Sequence, residues 1–148
     1  MGEDRIYETD GGGAPFRFND NVAAVFPDML RRSIPGYAAS LEAIGSLAAR
    51  YVRPGTHCYD LGCSLGAATL AMRQGIDAPG CRIFAVDVAP AMIARCREIM
   101  AEDDRLNAPP TEVVVIEDDI RDKERLKEFD ERFVELARAV YVTNDQRA

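Results

Sequence analysis

Residues 56–70 decide how the chain is read: Thr56-His57-Cys58-Tyr59-Asp60-Leu61-Gly62-Cys63-Ser64-Leu65-Gly66-Ala67-Ala68-Thr69-Leu70. Residues 56–61 form a short strand segment ending in an acid. Gly62 to Gly66 is a glycine-rich turn, and Ala67 to Gln74 is built of good helix formers. Downstream, Arg82–Asp87 predicts a second strand, nearly all apolar through its middle, and Val113–Ile116 a third that runs into Glu117-Asp118-Asp119. Such runs suit strands buried on both faces of a parallel sheet. Pro90 is placed to open the intervening helix, with Met92, Ile93, Cys96 and Ile99 on its inner face. Strand, helix, strand, helix, strand is the order of right-handed βαβ units. The expected class is therefore α/β: a Rossmann-like parallel sheet with helices on both faces, ending after about three or four strands.

Upstream of the strands, residues 20–33 read as a helix capped by Asn19 or Asp20. Val22, Val25, Phe26, Met29 and Leu30 lie on one face, and Pro27 is expected to split or kink it. Ile34-Pro35-Gly36-Tyr37 is a turn. Residues 38–51 predict a second helix with Leu41, Ile44, Leu47 and Ala48 buried, ended by Pro54-Gly55. Residues 1–15, with Gly11-Gly12-Gly13 and Pro15, suggest a disordered arm. The organisation expected is that arm, an N-terminal helical lid over 16–53, and an α/β domain over 54–148. Within the last, Leu126, Phe129, Phe133, Leu136 and Val140 recur at steps of three and four across 122–140. This is the pattern of a helix docked on its own sheet, or of a short seam between two copies. Val140–Asn144 is a candidate fourth strand.

With 148 residues and a net charge of −7, the chain is one domain's length and lacks a cationic footprint for nucleic acid. It shows no apolar run of membrane-spanning length and no secretory leader, so a cytoplasmic location is expected. The four cysteines (Cys58, Cys63, Cys81, Cys96) form no CxxC pair and have one histidine, His57, for company. Zinc binding is not expected; reduced, mostly buried thiols are.

In open α/β sheets ligands sit beyond the carboxyl ends of the strands. Three such ends carry suitable groups. Asp60 followed by Gly62, Cys63, Ser64 and Gly66 lets a ligand approach the backbone and the positive end of a helix. Asp87 can accept from a ribose diol. Asp119 with Ile120 can hold an adenine amine and ring. Taken singly, each is as well explained as a turn or a helix cap. The spacing G-x-x-x-G, with Ser64 between, lacks the pyrophosphate cradle of a G-x-G-x-x-G fingerprint, and no P-loop occurs. S-adenosyl-L-methionine, a nucleoside without phosphate, fits better.

Beside these residues stand Val25-Phe26-Pro27-Asp28-Met29, Arg32-Ser33-Ile34-Pro35-Gly36-Tyr37, Pro90-Ala91-Met92-Ile93, Arg95-Cys96-Arg97 and Asp119-Ile120-Arg121-Asp122. From about Phe16 to Asp122 the chain closely resembles the carboxy-S-adenosyl-L-methionine synthases of bacterial tRNA wobble-uridine modification. The resemblance implies a class I methyltransferase-like fold and a reaction converting S-adenosylmethionine and prephenate into carboxy-S-adenosylmethionine and phenylpyruvate. Its chemical rationale is an ylide, formed at the sulfonium methyl, that takes up carbon dioxide from prephenate. The resemblance also implies a homodimer, Tyr37 as a lid residue, Gly62, Cys63 and Ser64 along the methionine, Asp87 at the ribose, and Asp119 with Ile120 at the adenine. It assigns no catalytic base here. Family chains are longer, with an arginine-bearing region that grips the transferred carboxylate, so the fold is expected to be incomplete relative to the family. A binding module without turnover and a conventional methyltransferase are the alternatives.

Overall fold

The computed structural model describes residues 20–118. The expected arm at 1–15, residues 16–19 of the lid segment, Asp119 and Ile120, the amphipathic stretch 122–140 and the candidate strand 140–144 lie outside the described residues.

The elements follow the expected order. Helices α1 (Asp20–Ser33) and α2 (Tyr37–Tyr51) precede β1 (His57–Leu61), α3 (Ala67–Gly75), β2 (Arg82–Asp87), α4 (Pro90–Asn107) and β3 (Glu112–Glu117). The strands form one parallel sheet in the order β1-β2-β3, with Asp60 beside Ala85 and Ala85 beside Val115. Successive residues of a strand face opposite sides. Cys58, Asp60, Ile83, Ala85, Val113 and Val115 therefore share one face. There they meet Ala48 of α2, Leu70 and Met72 of α3, and Ile93, Cys96 and Met100 of α4. Ile83, Met92 and Ile93 are almost fully buried, each contributing roughly 1.5–3 kcal/mol by leaving water. The opposite face carries Tyr59, Leu61, Phe84, Val114 and Ile116, which belong to none of the packed clusters. Expected buried on both sides, Val114 and Ile116 are half-buried because the clustered helices pack on the other face; Val113 and Val115, on the packed face, are half-buried as well, in the strand at the edge of the described sheet.

Two expectations change. Pro27 lies inside α1, which runs through it as one element. The buried side of that helix (Val22, Ala23, Phe26) packs on Leu65, Ala89 and Met92, and this anchoring offsets the hydrogen bond proline cannot make. In α2 only Ala48 is buried; Leu47 is 54% exposed. The cause is close helix approach: a Cβ on Gly45 would stand 2.9 Å from the Ala71 carbonyl oxygen, and one on Gly75 2.2 Å from that of Gly45. Small residues bring α2 onto α3 and turn Leu47 outward.

Candidate functional site

The turn after β1 is fastened to the end of β2. The N–H groups of Gly62 and Cys63 both donate to the Val86 carbonyl, at 2.8 and 3.0 Å, and the Ser64 N–H donates to Asp87 Oδ2 at 2.8 Å. Asp87 Oδ1 accepts the Ala89 N–H at 2.9 Å, just ahead of α4. Gly62, Ser64 and Gly66 all have positive φ (80°, 52° and 82°), the left-handed region where glycine carries no Cβ penalty. The two glycines differ in surroundings. A Cβ on Gly66 would meet Met100 Cε at 2.6 Å and Cys96 Sγ at 2.9 Å, whereas one on Gly62 would meet nothing within 4 Å. Gly66 is closed by packing, and Gly62 faces open space.

Asp60 lies beneath this turn. Its Oδ2 accepts the Thr69 hydroxyl at 2.6 Å. Burial pushes its carboxyl above the ordinary value and the Asp87 charge adds to this, while hydrogen bonds from the Thr69 hydroxyl and backbone N–H oppose it. Thr69 is a residue that sequence reasoning missed; a hydroxyl on the inner side of a helix needs a partner, and that was its only signal. A cavity of about 500 Å³ opens above, between α1, α2 and the turn, lined by Tyr37, Asp60, Gly62, Cys63 and Ser64 among others. Burial, and then the Asp60 charge, raise the Tyr37 phenol above its usual value. Arg31 and Ser40 also reach this cavity without having been singled out. The Cys63 thiol is held up by its hydrogen bond with Cys96 and by burial, with both carboxylates acting in the same direction. It fills the turn as a neutral group.

Tyr37, Asp60, Gly62, Cys63, Ser64, Gly66 and Asp87 thus stand at one end of the sheet. Asp119 and Ile120 are outside the described residues, but the Asp118 N–H donates to the Asp87 carbonyl at 3.1 Å, so the chain leaves β3 at this same end. Val88, 49% exposed and next to Asp87, is an apolar surface that went unremarked in the sequence. His57 is at the far end of β1, exposed and edge-on to Phe84 at 5.2 Å. All four cysteines are free thiols, three of them buried. Among the described residues no group of three or more His, Cys, Asp or Glu is placed to hold a metal ion, and no helix is long and apolar enough to cross a membrane.

The donor set suits S-adenosylmethionine: two carboxylates, Asp60 and Asp87, to meet a sulfonium, an ammonium or a ribose diol. Comparison with known proteins agrees on the class. The fold is that of the S-adenosyl-L-methionine-dependent methyltransferases. A solved structure so described, from Methanococcus maripaludis, superposes with a TM-score of 0.53 at 19% identity, over 75% of this chain and 47% of its own. The particular relatives are carboxy-S-adenosyl-L-methionine synthases, to which this chain is homologous over about two thirds of its length. That of Trichlorobacter lovleyi is 62% identical over 96 residues, 65% of this chain and 39% of the relative. That of Klebsiella pneumoniae strain 342 is 57% identical over 105 residues, 71% of this chain and 41% of the relative. The chain therefore spans about two fifths of the length of the curated relatives it matches. No family model matches it.

Proposed function

We propose that the chain binds S-adenosyl-L-methionine, or its carboxy derivative, in the cleft between the Gly62–Gly66 turn and the end of β2. Its activity is then that of a carboxy-S-adenosylmethionine synthase, taking S-adenosylmethionine and prephenate to carboxy-S-adenosylmethionine, phenylpyruvate and water in the supply of tRNA wobble-uridine modification, the water formed from the departing ring hydroxyl and the methyl proton. The observation that carries this reading is the hydrogen bond from the Ser64 N–H to Asp87. It brings the turn and the strand-end acid into one site beside Asp60. In this reading Asp87 receives the ribose through acceptor sites left over from its backbone bonds. Asp60 faces the cationic methionine end, Gly62 leaves room for it, and Tyr37 closes it from the lid helices. Asp119 and Ile120 take the adenine, with Val88 alongside. The cofactor, when bound, supplies the sulfonium methyl carbon that gains the carboxyl group. The protein's part is to hold both reactants together and to exclude water. Two copies acting as a homodimer in the cytoplasm complete the reading.

The deciding experiment is incubation of the purified chain with S-adenosylmethionine and prephenate, followed by mass spectrometry. Carboxy-S-adenosylmethionine and phenylpyruvate should appear in equal amounts. Bound cofactor without either product leaves a binding module, and methyl transfer to an acceptor would replace the proposal with a conventional methyltransferase.

A further inference from the structure

The cavity above Asp60 carries both signs of charge. Among the described residues that line it, Arg31 on α1 is the one base and Asp60 on β1 the one acid; Tyr37, Ser40 and Ser64 add hydroxyls, and the rest of the wall is chiefly apolar. In such a cavity the few polar groups fix the orientation of the ligand. A ligand offering only a cation would set Arg31 against it as a like charge, and one offering only an anion would do the same with Asp60. The two are matched together by a group that holds both signs on neighbouring atoms, as an amino acid does. We propose that Arg31 takes the α-carboxylate of S-adenosylmethionine while Asp60 meets the cationic part, so that the cavity selects the intact amino acid over the corresponding amine. This rests on the cofactor reading above and adds to it the residue that reads the carboxylate.

Arg31 is suited to this by its place and its chemistry. It stands in the last turn of α1, and that helix is fixed to the site: Phe26, which also lines the cavity, packs in one cluster with Leu65 of the turn and with Ala89 and Met92. The base is therefore carried on an element whose distance from the turn is set by packing. Its Nη2 lies 3.9 Å from Asp28 Oδ1, and Asp28 is held more closely by Arg32, at 3.3 Å. The Arg31 side chain is 51% exposed, and exposed pairs at this helical spacing contribute little. Turning the guanidinium toward a ligand gives up little from that pair. Its planar fork can then meet both oxygens of a carboxylate, which a single point charge cannot do. Ala67 and Ala68, in the first turn of α3, line the same cavity, and the positive end of that helix adds to the attraction.

Decarboxylated S-adenosylmethionine keeps the adenosine, the sulfonium and the amine but lacks the carboxylate, so it isolates the contact. In calorimetry on the full 148-residue protein, S-adenosylmethionine should bind about tenfold more tightly than this amine, the worth of one charged contact. Arg31→Ala should weaken S-adenosylmethionine by about that factor and leave the amine unchanged, which erases the preference. Arg31→Lys should restore part of it. Asp60→Asn should weaken both ligands and keep the preference, because both carry the cations. Circular dichroism checks that each variant is folded. Equal losses for the two ligands in Arg31→Ala make Arg31 a piece of cavity wall and overturn the proposal. Unchanged affinity for S-adenosylmethionine in that variant overturns it too, and so does a wild-type protein that binds the two ligands alike. A wild-type protein that binds neither overturns the cofactor reading itself, and this inference with it.

Discussion

Asp87 holds the turn and, in the proposed reading, the ribose. Its two oxygens accept the Ser64 and Ala89 N–H groups. Asp87→Ala should abolish measurable S-adenosylmethionine binding in calorimetry. It should also lower unfolding stability by about 1–3 kcal/mol, because two donors lose a charged acceptor; unchanged affinity would remove Asp87 from the site. Asp60 behaves differently. Its carboxyl is raised mainly by burial, so its contribution to stability is full below the unfolded pKa and is lost as pH rises through the folded value. Asp60→Asn should therefore stabilise the protein at neutral pH, read as a higher midpoint in urea. Binding a cation reverses the sign, because it needs the ionised form. Wild-type affinity should fall as pH drops through the raised Asp60 range. In Asp60→Asn it should be weaker at neutral pH by about tenfold, the loss of one charge-assisted contact, and nearly flat with pH. The types of these residues were legible in the sequence, since Asp60 and Asp87 end apolar strands. Their second roles were not, because a hydrogen bond between positions 23 residues apart leaves no local pattern.

Between elements, one side chain ties three together. Arg73, 4% exposed on α3, donates from Nε to the Thr111 carbonyl at 2.9 Å ahead of β3, and pairs with Asp103 at 2.9 Å and with Asp104, both on α4. Arg73→Ala removes a buried guanidinium whose partners are the partly buried Asp103, the exposed Asp104 and the Thr111 carbonyl, so it should cost about 2–3 kcal/mol in chemical denaturation, nearer the loss of charged hydrogen bonds than of a fully buried pair. Arg73→Lys should recover only part of it, because a point charge cannot replace the guanidinium fork. In sequence Arg73 looks like a last-turn helix cation, and nothing there marks it as buried. The elements themselves were readable where periodicity and punctuation agree. Pro90 opens α4, and its Met92, Ile93 and Cys96 are buried as their spacing predicts. For α2 the same reasoning buried Leu47, since a stripe shows which face is apolar and not that Gly45 and Gly75 let two backbones nearly touch. Periodicity records composition around a helix, and interhelical distance depends on the partner.

For the molecule as a whole, the order of strands and helices was legible because, among the described residues, each crossover joins neighbouring strands of the sheet. In the proposed reading the ligand is held by the turn after β1 and the end of β2, so binding can be tested on the whole chain by its effect on unfolding. A ligand that binds only the folded state at about 100 times its Kd adds roughly 2.7 kcal/mol, a rise in Tm on the order of 10 °C for a chain of this size. S-adenosylhomocysteine shares the adenosine and the amino acid but carries no sulfonium charge. If Asp60 and Asp87 read that charge, S-adenosylmethionine at equal concentration should raise Tm further than the thioether does. Added salt should narrow the difference only modestly, since both carboxylates are half-buried and screened less than surface groups. Equal shifts for the two ligands would show that the acids serve the turn and the ribose alone, and that the cavity does not distinguish the reactive sulfur.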